Sequence, residues 1–276
     1  MADVMHGYVE RGEMAGVVTL PCRRDEVHVE AIGARDLAAA APMRRDTIFR
    51  IASMTKPITA AAAMILVEEV KLRLDEPVNR WLPGLADRKV LRGIDSPLDD
   101  TVPAKRPITL RDLLSFPLGL GAVMDRPNRY PIQKAMAEAG LAPAPKPLSF
   151  SPDAFMERVG NLPLMHQPGE QWILSRPAVE LMTPDQLTPE QKASPFLPGF
   201  WDTRGWGFGV SVITRRGGVG LSPGSSGWDG GFSTSGYCDP HEDMVGILLV
   251  QRMMSSPSGF DFHRDFWTLG FQAIDD

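Results

Sequence analysis

The stretch Ile51-Ala52-Ser53-Met54-Thr55-Lys56-Pro57-Ile58-Thr59-Ala60-Ala61-Ala62-Ala63-Met64-Ile65-Leu66-Val67-Glu68-Glu69 constrains this chain most. Apolar residues at Met54, Ile58, Ala61 and Ile65 recur at the spacing of one helical face. Four consecutive alanines favour helix and allow close packing by other elements. Pro57 is compatible with a helix only in its first turn, where its missing N–H has no intrahelical partner. Ser53 is therefore expected at the helix N-terminus, where N–H groups are unpaired and the dipole favours negative charge. Lys56, three residues on, shares its face and reaches the hydroxyl. A serine hydroxyl becomes a nucleophile when a neighbouring base takes its proton. A lysine can be that base if burial lowers its pKa. The plain alternative is an N-cap serine followed by an exposed lysine. The apolar lead-in Ile48-Phe49-Arg50-Ile51-Ala52 argues instead for a half-buried Lys56, and a buried lysine needs a reason.

The chain has 276 residues, enough for a large core in one domain or two joined ones. Its net charge of −5 argues against a nucleic-acid partner. Cys22 and Cys238 lack metal or redox spacing and read as buried thiols. Residues 1–6 contain no apolar signal-like region, and no apolar run reaches membrane-spanning length, so a cytoplasmic location is expected. His6, His28, His166, His241 and His263 are scattered without zinc spacing. No Gly-x-Ser-x-Gly elbow or phosphate-binding loop appears. Neither a metal nor an organic cofactor is expected.

In chain order, residues 3–12 read as a short helix. Residues 16–20 and 27–33 read as an antiparallel hairpin. Residues 72–174 show no strand pattern and read as a helical, loop-rich insertion, with a helix opening at Ile108-Thr109-Leu110. Residues 175–187 are helix-like. Residues 205–213, 232–238 and 244–251 read as strands, and a helix closes the chain over 260–274. The expected fold is α/β (α+β): an antiparallel five-stranded sheet flanked by helices. It is built from 1–71 and 175–276, with 72–174 as the insertion domain.

Several stretches together resemble the β-lactamase / penicillin-recognising serine hydrolase superfamily. They are Asp46-Thr47-Ile48-Phe49-Arg50-Ile51-Ala52-Ser53-Met54-Thr55-Lys56-Pro57, Leu74-Asp75-Glu76-Pro77-Val78, Pro168-Gly169-Glu170-Gln171-Trp172, Gly205-Trp206-Gly207-Phe208-Gly209 and Gly227-Trp228-Asp229-Gly230-Gly231-Phe232. The similarity is to the class C β-lactamase-like branch that includes family VIII carboxylesterases. The resemblance implies Ser53 as the acylated nucleophile and Lys56 as its base. It places Trp228-Asp229-Gly230 where β-lactamases carry Lys-Thr-Gly. Gly231 and Ser53 then supply the backbone N–H groups of an oxyanion hole. The absence of lysine at 228 favours esters over β-lactams. The implied partner is a small ester or amide substrate.

One departure stands out. The family carries a tyrosine motif just after Pro-Gly-x-x-Trp, and here Leu174 occupies that place. Ile173 onward resembles a segment that normally comes much later, as though an intervening helical stretch had been removed. The chain is shortened, or it is part of a longer protein, or another residue replaces the tyrosine; Tyr130 and His166 are candidates by type alone. The expected activity is a serine esterase working through an acyl-enzyme. The alternatives are β-lactamase or D-amino-acid peptidase activity, or an impaired binding or scaffold member.

Overall fold

A computed structural model describes residues 1–121, 123, 127–142, 149–170, 184–192, 199–218, 220–254 and 261–274. The chain divides into two units. One comprises Met1–Ala62, Pro177–Gln186 and Leu197–Asp276; the other comprises Ala63–Arg176 and Leu187–Phe196.

The first unit is built on one sheet whose paired strands all run antiparallel. Its strands are β1 (Gly16–Arg23), β2 (Glu26–Val27), β3 (Glu30–Asp36), β4 (Ala41–Pro42), β7 (Arg204–Trp206), β8 (Ser211–Ile213), β9 (Ser226–Gly230), β10 (Thr234–Asp239) and β11 (Met244–Val250). The spatial order is β4-β3-β1-β11-β10-β9-β8-β7, with β2 on β1. The expected hairpin is present, with Val17 opposite Ile32. The alternation of β11 sets the sheet's sidedness. Met244, Leu248 and Val250 are buried, whereas Val245 is 37% exposed. The buried face is covered by α1 (Ala2–Glu10) and by the closing helix, Asp261–Gln272. Met5, Val17, Leu248, Phe262 and Phe266 pack there, each below 2% exposure. Each such side chain contributes about 1.5–3 kcal/mol by leaving water. Tyr8 Oη donates to Asp265 at 2.6 Å and fastens α1 to that helix.

Several expectations need correction. Among the described residues nine strands form this sheet where five were expected, because two of the expected strands split and β4 and β9 add to them. The expected strand 205–213 is the β7–β8 hairpin, turned at Gly207 and at Gly209 (φ +76°), with Gly207 N–H on the Val210 carbonyl. The expected strand 27–33 breaks after Val27, and exposed His28 gives its N–H to Pro21. The start at 232 shifts to Thr234, since residues 231–233 form the β9–β10 turn with Ser233 at φ +57°. Cys238 is exposed and Cys22 half-buried, not buried thiols. They flank Val245 on either side of β11. Two strand spacings, about 9–10 Å, separate them, beyond disulfide reach.

The second unit has its own core, centred on Val90, Ile108, Ile132 and Leu164. Its expected lack of strands is corrected by the hairpin of β5 (Lys89–Leu91) and β6 (Thr101–Pro103). Three-residue strands in a polar, proline-rich segment are too short to show a period. Helix α3 (Leu110–Ser115) starts on a Thr109–Asp112 capping box, as a helix-opening Thr-x-x-Asp should. Arg106 grips the same Asp112 with two hydrogen bonds of 2.6 and 2.8 Å. Helices α4 (Pro131–Glu138) and α5 (Pro152–Gly160) both begin with proline in the first turn. Buried Arg88 donates to the carbonyls of Val159, Gly160 and Leu162, which satisfies the exit of α5. Single-turn helices α6 (Pro189–Lys192) and α7 (Phe200–Thr203) follow, so the closing helix Asp261–Gln272 is α8. The expected helix over 175–187 lies mostly outside the described residues.

Among the described residues no helix is long and apolar enough to cross a membrane.

Candidate active site

Ser53 sits on a 3-10 turn, Ala52–Met54, that runs directly into α2 (Thr55–Glu68). Pro57 therefore falls within the first helical turn, where it costs no hydrogen bond. Ala52 adopts φ +46°, a left-handed conformation unfavourable for a residue with a Cβ. Such strain, about 1 kcal/mol or more, is held by the surroundings and collects at functional positions.

Lys56 Nζ lies 2.6 Å from Ser53 Oγ. Burial pulls the lysine ammonium down from its ordinary value of 10.5 to about 8. The neutral amine is thus accessible near physiological pH, and its lone pair can take the serine proton. The inward face of α2 corrects the sequence expectation. Ala60 and Met64 are buried, in line with half-buried Lys56 at intervals of four. Ile58 and Ile65, expected on the packed face, are 61% and 55% exposed. A helix apolar on every side has no period that singles out one face.

The β9–β10 hairpin presses on the turn before Ser53. Thr234 Oγ1 donates to the Ile51 carbonyl at 3.1 Å, and Met54 N–H donates to the same oxygen at 3.0 Å. A Cβ at Gly230 would collide with that carbonyl and with Thr234 Oγ1. One at Gly236 would stand 2.7 Å from Met54 Cε. Only glycine at 230 lets β9 come this close. Gly231 follows, exposed, with open space where a Cβ would be. Its carbonyl is held by Met254 N–H at 2.9 Å. Gly230 is thereby brought to the Ser53 turn, and Gly231 stands at the open end of the strand.

Of the neighbouring side chains, Trp228 lies on the Gly230 face of β9 and Asp229 on the other. The Trp228 ring packs edge-on against Trp206, at 4.4 Å between centroids, and against Phe200, at 6.2 Å. The Asp229 carboxylate accepts from Ser235 Oγ at 2.6 Å and Tyr237 Oη at 3.2 Å. It projects to the face opposite Gly230, because side chains alternate along a strand.

Trp172 to Ser175, with Leu174 in the tyrosine's place, lie outside the described residues. Tyr130 and His166 both belong to the second unit. Tyr130 precedes α4, gives its N–H to Gln133 Oε1, and carries the Arg129 guanidinium over its ring. Burial pushes the His166 imidazole down, against the opposing pull of Glu170. Among the described residues no three His, Cys, Asp or Glu side chains gather as metal ligands would.

Sequence reasoning missed Ala52's backbone, Thr234, and the Met254 contact. A small residue ahead of the serine and a threonine opening β10 were the available signs. The Met254 contact joins distant segments and left none.

Residues 1–183 match the family model described as Beta-lactamase. Protein Rv1367c of Mycobacterium tuberculosis (strain ATCC 25618 / H37Rv) is 42% identical over 163 residues, 59% of this chain and 38% of that protein. Esterase EstB of Burkholderia gladioli is 33% identical over 168 residues, 58% of this chain and 37% of that protein. The chain thus spans well under half the length of these curated relatives. Among solved structures, EstCE1, described as a hydrolase with promiscuous acyltransferase activity, is similar with a TM-score of 0.74 at 19% identity; 97% of each chain is covered. Unliganded simvastatin synthase (LovD) from Aspergillus terreus is similar with a TM-score of 0.76 at 18% identity, covering 99% of this chain and 97% of that one. At such identities these two show the fold.

Proposed function

This chain belongs to the Beta-lactamase family, and from that premise we propose that it is a serine hydrolase acting on carboxylic esters through an acyl-enzyme. The observation that carries the reading is the Ser53–Lys56 pair: 2.6 Å apart, half-buried, with the lysine pulled down to about 8. Ser53 Oγ attacks the ester carbonyl while neutral Lys56 takes its proton. The N–H groups of Ser53 and Gly231 stabilise the oxyanion. Protonated Lys56 then returns the proton to the leaving alkoxide. Water, activated by the same amine, releases the acid and restores Ser53.

Two further points support an ester substrate. Esterase EstB is among the relatives, and position 228 holds tryptophan where a lysine would attract a carboxylate-bearing lactam. Hydrolysis of p-nitrophenyl butyrate that exceeds that of nitrocefin, and that disappears in Ser53→Ala, is the expected result. Greater activity on nitrocefin would move the reading to a β-lactamase. A folded protein without either activity would leave a binding or scaffold role.

A further inference from the structure

Gly230 and Gly231 form a two-glycine strand end with no side chain of its own to hold it. On the Ser53 side it is limited by the Ile51 carbonyl. On the other side the last side chain of β9 is Asp229, and its carboxylate is tied into a chain of hydrogen bonds. Ser235, its cross-strand partner, donates at 2.6 Å, and Tyr237 Oη donates at 3.2 Å. Tyr237 Oη in turn accepts from Arg204 Nη1 at 2.8 Å, and Arg204 Nη1 also donates to Ser211 Oγ at 3.1 Å. Ser235 Oγ accepts from Trp267 Nε1 of α8 at 3.1 Å. Strands β7, β8, β9 and β10 and helix α8 therefore converge on one carboxylate. Ser211, Ser235 and Tyr237 are buried, so solvent does not compete for these bonds.

A set of apolar side chains would hold four strands together as well as an ion-bearing network does. What a fixed carboxylate adds is direction: two donors from β10 define the torsion of β9 at residue 229, one peptide before Gly230. Burial raises the Tyr237 phenol, which stays protonated and keeps donating to Asp229 across the working pH range.

We propose that Asp229, clamped through Ser235, Tyr237 and Arg204, is a positioning residue that aims the Gly231 N–H at the developing oxyanion. The proposal rests on the hydrolase reading and assigns to Asp229 no contact with substrate.

The test uses the whole chain and its Asp229→Asn and Tyr237→Phe variants. Three readouts are kcat and KM for p-nitrophenyl butyrate, affinity for butylboronic acid, and thermal midpoint. The boronic acid accepts the Ser53 Oγ lone pair on boron, the hydroxyl proton passes to Lys56, and the tetrahedral boronate carries the negative charge. It therefore reports the oxyanion site directly. Asp229→Asn replaces an acceptor oxygen facing Tyr237 by a donor. It is expected to lower kcat about tenfold to a hundredfold, with KM within about threefold. Boronate affinity falls by the same factor as kcat. Tyr237→Phe, which keeps the ring and removes one of the two donors to Asp229 together with the link to Arg204, shows the same pattern at about three- to tenfold. If Asp229→Asn does not fold, Tyr237→Phe decides by these readouts. A folded variant with wild-type kcat overturns the proposal, as does a loss of kcat without a loss of boronate affinity. If the wild-type chain itself takes neither ester nor boronate, the hydrolase reading fails first, and the failure is visible before any variant is compared.

Discussion

Two polar clusters lie within the same unit, and they are built oppositely. The Arg204–Tyr237–Asp229–Ser235 chain is linked throughout: Arg204 donates to Tyr237 Oη, the Tyr237 and Ser235 hydroxyls each accept one hydrogen bond and pass one on, and the carboxylate accepts two. Among the described residues, the side chains of the Ser53–Lys56 pair bond to each other, on a turn that begins with a left-handed alanine. In the first cluster every partner is present, so the groups are fixed in place. In the second, a half-buried amine has no carboxylate partner among the described residues, and burial lowers its basicity, so its proton is easily lost. The contrast separates two uses of buried polarity: one holds geometry, the other stores reactivity.

The comparison can be broken from either side. The largest effect is expected from Ser53→Ala, which should lower ester hydrolysis by at least about 10⁴-fold with a thermal midpoint near wild type. Lys56→Met should cost about 10³-fold or more in kcat, while gaining about 1 kcal/mol of stability because a buried cation is removed. That opposite movement of activity and stability marks a reactive group, and urea denaturation alongside kinetics reads both. Asp229→Ala should do the reverse to stability. It leaves the buried Ser235 and Tyr237 hydroxyls without their shared acceptor and is expected to cost about 3 kcal/mol in the same denaturation experiment. Should Lys56→Met prove the more destabilising of the two, the contrast between the clusters fails. The smallest effect is expected on the outer face of α2. Ile65→Gln, at a position 55% exposed, should change stability by no more than about 0.5 kcal/mol.

The reactive pair was legible because its signal is local. Ser53 and Lys56 are three residues apart, and a helix start carries them onto one face whatever surrounds it. The glycines of residues 227–231 could be read only with the family resemblance in hand, since a glycine-rich run looks like a turn until a carbonyl is found pressing on it. The holding network was not legible at all. Arg204 is distant in sequence from the Asp229–Tyr237 hairpin, and strand register unites them. The same limit explains the misread face of α2. With Ile58, Ala61 and Ile65 on one side and Ala60 and Met64 on another, hydropathy does not choose, and packing does.

The most direct measurement is the rate at which a fluorophosphonate modifies Ser53 as a function of pH, followed by intact and peptide mass. Phosphorus takes the Ser53 oxygen, fluoride leaves, and Lys56 receives the proton. Lys56 must be neutral to do so, and its ammonium ionises at about 8, so the rate should rise about tenfold per pH unit below that value and level off above it. One adduct on the Ser53 peptide with that profile is the predicted result. A folded chain that takes no label, or a Ser53 adduct whose rate is flat from pH 6 to 9, would contradict it.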